Sequence, residues 1–545
     1  MKFRPSRKQI ILLSLIVAFL ILGSIFYRMT SLWTPDQSLI TLLPNAPIGY
    51  VSVKDLGEFI ETFQRGEFGV QTAQMPILAE IQRESWWRQI VYQKQLWESE
   101  MGGKLDLKKI RGYLGEEAIL SFYQRNTEIS FLLISAVGAK EKLEIATLTT
   151  ADPVNPNYKR LKENYRDLDI NTITGYPRDF SYAFIGKIGL LATDRSLIQD
   201  TIDIYAKQKQ TFSDLQPIGD YLRKHYNTDQ NTVYVDLSRS SQILGESLTA
   251  LLEGFNGWIF SNRYEKGVIR SRHRFIMDTN WQPAQRHASW QFAQPDERLL
   301  EILPATTAFL SVSSHTHLTT LWKQVNASLP LEYQQSQIDL SRHLKPGIAL
   351  ALIASPTDAP TLIPSIVLIC PIKDPSGLEA DLAKLKQTKI SLNGKPLRFH
   401  PHQDYQGAQL QLVQLPLGFM LSIKGGYARL DKYWVVGTTL GGLKSAIDAF
   451  ADRESALADT EPPAQLEGPS DGYILIQPNR FIPELKRLIP IIGLIASASG
   501  QKIDATLTRR VVNNLFPLAA LGPITAGINS DSDFVDVEIR IVLEE

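Results

Sequence analysis

The sequence has a single cysteine, Cys370, in 545 residues. One thiol excludes a disulfide scaffold and any zinc or iron–sulfur site built on four thiolates. There is no surplus of charge: 57 Lys and Arg stand against 57 Asp and Glu. A nucleic-acid binder needs a basic excess to displace counterions, so this balance argues against one. Long apolar runs are scarce too. Only Ile10–Tyr27 sustains a nearly continuous apolar run over eighteen residues, and the next best, 488–498, is interrupted by Pro490. The chain is nevertheless not poor enough in apolar residues to be disordered, with 44% hydrophobic and 21% charged. Its length leaves room for roughly two to four domain-sized units.

The one long apolar run predicts a membrane span. At about 1.5 Å per residue it reaches roughly 27 Å, close to the hydrocarbon thickness of a bilayer. Lys2, Arg4, Arg7 and Lys8 precede it with no acidic residue, which predicts a cytoplasmic N-terminus and an exported remainder. A cleaved signal peptide is the alternative, but Phe26-Tyr27-Arg28-Met29 offers no small-x-small cleavage site. Beyond residue 27 there remain 53 basic and 57 acidic groups, so the exported part is mildly acidic.

That exported part reads as a duplication. Leu39–Ala46 followed by IGYVSV resembles Leu299–Thr306 followed by TAFLSV. LDLKKIRGYLGEEAILSF (105–122) pairs with IDLSRHLKPGIALALI (338–353), and a second apolar strand follows in each, at 129–137 and 363–372. Residues 180–206 parallel 424–451 as strand, turn, strand, polar cap and amphipathic helix. TVYVDL (232–237) answers GYILIQ (472–477), and both copies close on strands, 268–276 and 534–543. Tight turns such as Ile185-Gly186-Lys187-Ile188 favour antiparallel pairing. The expected fold is therefore α+β: an N-terminal transmembrane helix, then two homologous α+β units with mainly antiparallel sheets. The expected boundaries are a cytoplasmic tail 1–9, a signal anchor 10–27, a first repeat 28–277, a linker 278–297 and a second repeat 298–545. The alternation of IRSRHRFIMD (269–278) predicts a sheet with one wet face.

The basic tail, the single span, the Leu-Pro approach to a YVSV-type strand and the later x-Asp-Leu…Gly strand occur together. In this the chain resembles a family of membrane-anchored bacterial envelope proteins classed as a domain of unknown function. The resemblance covers most of residues 38–545. It implies an inner-membrane anchor with residues 28–545 in the periplasm, and it supplies no catalytic residues.

Three patterns imitate sites. Gly468-Pro469-Ser470-Asp471-Gly472 matches a nucleophile elbow, but a strand follows the serine where a helix is required. Gly437–Ser445 lies between strand and helix like a phosphate loop, yet Leu443 separates the last glycine from Lys444. The matching place in the first copy, Ala192–Ser196, has no glycine, so a capped strand-to-helix junction is expected in both. His315/His317 and His400/His402 could each set two imidazoles on one strand face toward a metal, with His343 as a fifth; exposed loop histidines are the expectation. Cys370 sits in an apolar strand and reads as a small buried hydrophobe. No cofactor and no catalytic residue is expected.

Two apolar features read as helices packed in the core, with contact to a ligand or partner as the alternative. Trp86, Trp87 and Trp97 lie in a helix-like stretch, 84–101. Ile491, Ile492 and Leu494 lie in 481–498, apolar nearly all round, against a milder counterpart at 241–255. Three functions follow: a non-enzymatic binding or scaffold protein of the envelope, a lipid- or hydrophobe-handling protein, and an envelope hydrolase with a dispersed site. The expected partners are the membrane, through 10–27, and another envelope protein, a lipid or a wall component.

Overall fold

The computed structural model describes residues 38–54, 117–125, 128–136, 159–174, 179–215, 218–244, 254–265, 267–278, 298–313, 339–355, 363–387, 391–392, 395–416, 422–460, 471–487, 521–531 and 533–543, with 91, 296, 518 and 519. The chain divides into two compact units, one of residues 1–266 and 271–278, the other of 267–270 and 279–545. The expected span 10–27 lies outside the described residues, as does most of the expected linker. Among the described residues no helix is long and apolar enough to cross a membrane.

Among the described residues the first unit shows ten strands: β1 (Gly49–Lys54), β2 (Glu117–Arg125), β3 (Glu128–Ala136), β4 (Lys159–Tyr165), β5 (Leu168–Thr174), β6 (Phe180–Ile185), β7 (Ile188–Ala192), β8 (Asn231–Asp236), β9 (Phe255–Glu265) and β10 (Val268–Met277), the first three residues of β10 falling to the second unit. Their order across the sheet is β4-β5-β6-β7-β3-β2-β1-β8-β9-β10. Helix α1 (Arg195–Tyr205) follows β7, α2 (Ile218–His225) precedes β8, and α3 (Leu237–Leu244) follows it. Leu197, Ile198 and Ile202 of α1 join Ile119, Leu132, Ile134 and Leu190 in one buried core.

In the second unit a short helix α4 (Leu299–Ile302) leads to β11 (Thr307–Ser313), β12 (Ile348–Ile353) and β13 (Ser365–Pro371). Helix α5 (Pro375–Gln387) comes next, then β14 (Gln403–Tyr405), β15 (Ala408–Pro416), β16 (Ser422–Leu430) and β17 (Tyr433–Gly437). Helix α6 (Leu440–Ala451) is followed by β18 (Gly472–Ile476), β19 (Leu521–Ser530) and β20 (Phe534–Leu543). Here the order is β14-β15-β16-β17-β13-β12-β11-β18-β19-β20. For these ten strands it is the order of the first unit; Arg398–Phe399 also pairs with β15, and 391–392 with 395–396, in the second. Both units are α+β with antiparallel sheets, as the turns foretold.

Local chemistry explains the shared plan. Arg166 and Asp167 join β4 to β5 with φ of 53° and 61°, and Gln406 and Gly407 join β14 to β15 with 52° and 78°. Two residues at positive φ match the twist of the strands they connect. Asp194 caps α1 by accepting from the Ser196 amide at 2.9 Å, and Thr439 caps α6 by accepting from Gly442 at 3.0 Å. Each capped corner is tied to the neighbouring strand by the preceding threonine: Phe131 N donates to Thr193 Oγ1 at 3.0 Å, and Ile366 N to Thr438 Oγ1 at 2.9 Å. Each helix also receives a tyrosine from the far hairpin, Tyr165 on Asp203 at 3.0 Å and Tyr405 on Asp448 at 3.1 Å.

Candidate functional site

Polar side chains of the first unit gather where β1, β2, β8 and α2 meet. Tyr226 donates to Glu117 and receives a hydrogen bond from Ser52 Oγ at 2.8 Å. The Lys54 amine donates to the Tyr226 carbonyl and lies 3.9 Å from the centre of its ring. Burial pushes the Lys54 ammonium down and the Glu117 carboxyl up. Lys54, at the end of β1, is therefore partly buried within this group. Next to this group, buried Asp229 accepts from Ser261 and, at 3.0 Å, from Arg272. Ser52 is 1% exposed and Tyr226 2%. These polar groups are engaged with one another, which makes the arrangement a structural joint between the strands and the segment after α2.

A second polar cluster ties α5 to the short 3₁₀ turn Leu340–His343. Buried His343 sets Nδ1 3.2 Å from Asp374 Oδ2 and Nε2 3.0 Å from Asp381 Oδ2. Arg342 reaches the same Asp381 oxygen and lies 3.0 Å from His343 Nε2, while Lys384 donates to Asp381 Oδ1 at 3.0 Å. Gly377 makes room for the ring, because a Cβ there would stand 2.4 Å from His343 Cε1. The aspartates approach opposite edges of the imidazole and do not converge on one point. Among the described residues no group of His, Cys, Asp and Glu could hold a metal ion.

The third feature is apolar. Cross-strand partners share a sheet face. In the second unit α6 covers the face carrying Ala349, Val367 and Val435. The opposite face bears Tyr427, Val436, Leu368, Leu350, Ser311, Ile474, Ala526 and Ile539 in one transverse row. Beside it run Ile366, Leu352, Phe309, Ile476, Ile524 and Ile541. Helix α5 and the 3₁₀ turn cover one end, where Leu340, Leu378 and Leu382 pack with Tyr427 and Trp434. At another corner Phe481, on a helical stretch that begins at residue 478 (α7), lies 5.8 Å from the ring of Phe309. Leu350 nevertheless remains 42% exposed, with Leu368, Val436 and Ile474 half-buried around it. The first unit has the same row: Tyr182, Leu191, Leu133, Leu120, Val51, Val233 and Phe260. There Leu120, in the place of Leu350, is only 8% exposed.

The expected wet face is thus apolar. On β10 the Arg272 side chain pairs with Asp229 and Arg274 lies over the Tyr221 ring of α2, while His273 and Phe275 stack with Trp258 on the other face. Sequence gave a signal in β12 and β13, whose IALALI and SIVLIC have no polar alternation. Such runs mark strands covered on both faces.

Of the candidates from sequence, Trp86, Trp87, Trp97, His315, His317, Ser470, Ile491, Ile492 and Leu494 lie outside the described residues. His400 and His402 are exposed and face different partners, Gln414 Oε1 at 3.3 Å and the Lys386 amine at 3.4 Å. The glycine-rich junction 437–445 is the α6 cap, as expected, and Lys444 lies over the Tyr405 ring at 4.5 Å. Cys370 is buried and its thiol is pushed up to about 12 by burial.

No protein family and no curated protein matches the chain. Among solved structures it is similar to crystal form III of TP0453, with a TM-score of 0.27 and 9% identity over 47% of this chain and 85% of that one. Crystal forms IV and I of TP0453 match with a TM-score of 0.26 at 9% identity, over 44% and 47% of this chain and 79% and 84% of theirs.

Proposed function

We propose that the chain is a single-pass, membrane-anchored envelope protein whose exported part is two copies of one α+β unit, and that it binds an acyl-type ligand without catalysis. The observation that carries the binding role is Leu350, open to solvent in the middle of an apolar sheet face. A ligand removing about 200 Å² of such surface from water gains roughly 5 kcal/mol of gross hydrophobic free energy, against which the cost of association is set. Duplication is supported by the shared strand order, the paired caps and the paired tyrosine–aspartate bonds. It is supported too by Arg239 and Arg480, which donate to the carbonyls of Ala46 and Ala305 ahead of the first strand of each unit. The anchor rests on residues 10–27 and their basic flank.

The test uses a photoactivatable fatty acyl probe offered to the full-length protein in native membranes, with labelled peptides mapped by mass spectrometry. Labelling of β12, β13 and β18, lost in Leu350→Glu, is the expected result. Labelling confined to residues 10–27 overturns the binding role.

A further inference from the structure

His343 lies in the element that borders the apolar face, and its two ring nitrogens meet different kinds of partner. Among the described residues Nδ1 faces only the Asp374 carboxylate, so it carries a proton in either charge state. Nε2 faces both Asp381 Oδ2, an acceptor, and Arg342 Nε, a donor, each at 3.0 Å. A neutral ring accepts from Arg342 and turns a lone pair toward Asp381. A protonated ring donates to Asp381 and bridges two carboxylates. We propose that His343 is a proton-controlled latch on α5, gripping the helix when protonated and loosening it when neutral, and so adjusting access to the apolar face that α5 borders.

The last clause rests on the acyl-binding role proposed above; the latch itself does not. The latch is the stated hydrogen-bond geometry in a space that Gly377 keeps open. The charged groups around the ring are Arg342 on its own turn, Asp374 ahead of α5, and Asp381 and Lys384 on α5. From β16 comes Tyr427, whose phenol burial pushes up to about 12 and keeps neutral. Asp381 is held well below the usual carboxylate range by His343, Lys384 and Arg342, and Asp374 is lowered by the Gly377 amide and by His343. Both carboxylates therefore stay ionised whichever charge the ring carries. The backbone reinforces the joint, since Lys373 N donates to the His343 carbonyl at 2.7 Å. An exported domain meets the pH of its surroundings, which makes a histidine a useful sensor there.

Hydrogen exchange of the full-length protein in native-lipid nanodiscs, corrected for intrinsic rates, tests the latch. Protection of residues 375–387 is expected to fall about tenfold between roughly pH 5.5 and pH 8, the loss of one charge-assisted hydrogen bond. In His343→Gln and Asp381→Asn the pH dependence is expected to vanish or shrink. Constant protection across that range in the unmodified protein overturns the latch, whatever the variants do. Acyl labelling of β12 and β13 measured over the same range separates the two claims. A moving latch with no labelling at any pH removes the binding role alone, whereas labelling that ignores a moving latch removes its control of access.

Discussion

At the scale of single residues, His225 is the clearest titrating group of the first unit. It lies at the end of α2 with its ring 4.8 Å from that of Tyr221. Burial first, and then the Arg272 charge, lowers it from 6.5 to about 4. A base lowered in the folded state leaves the unfolded chain to take up the proton first. Its contribution is intact above pH 6.5 and is lost as pH falls from 6.5 toward 4. His225→Gln is expected to flatten the acid-side fall in stability over that window, measured by urea unfolding at a series of pH values; an unchanged slope refutes the assignment. The burial of Cys370 was legible in its apolar neighbours. The partners of His343 were not, because they lie 31 and 38 residues further along and meet it only after α5 folds back.

At the scale of elements, the caps allow the two units to be compared directly. Asp194→Ala and Thr439→Ala each remove one side-chain acceptor from a helix start, and each is expected to cost about 1 kcal/mol. Exchange protection should fall in α1 for the first and in α6 for the second, with the other helix unaffected. These caps, and the two-residue turn at Gly186, are short-range features, which is why sequence showed them. The second sheet face is a different matter. The alternation in 269–278 is real, but Arg274 turns toward α2, Arg272 toward Asp229 and the aromatic set toward Trp258, an outcome set by partners elsewhere in the chain. In β12 and β13 the unbroken apolar runs did carry the message, although periodicity alone names no cover for the second face.

For the whole molecule the proposal fixes both topology and modularity. In spheroplasts an added protease should digest residues 28–545 and leave a short fragment retaining the span; protection of the full chain would remove the anchor or its orientation. The order of strands across each sheet was foreseen only as an order of segments along the chain. Sequence matched landmarks in pairs, and hydrogen-bond registers turned those pairs into equivalent neighbours. Leu120 and Leu350 then acquire a use beyond binding. They hold the same place in two sheets of the same order, one closed and one open. The molecule thus carries its own matched control: any agent acting through apolar contact should register on one sheet, while the other, at identical concentration, temperature and history, supplies the baseline.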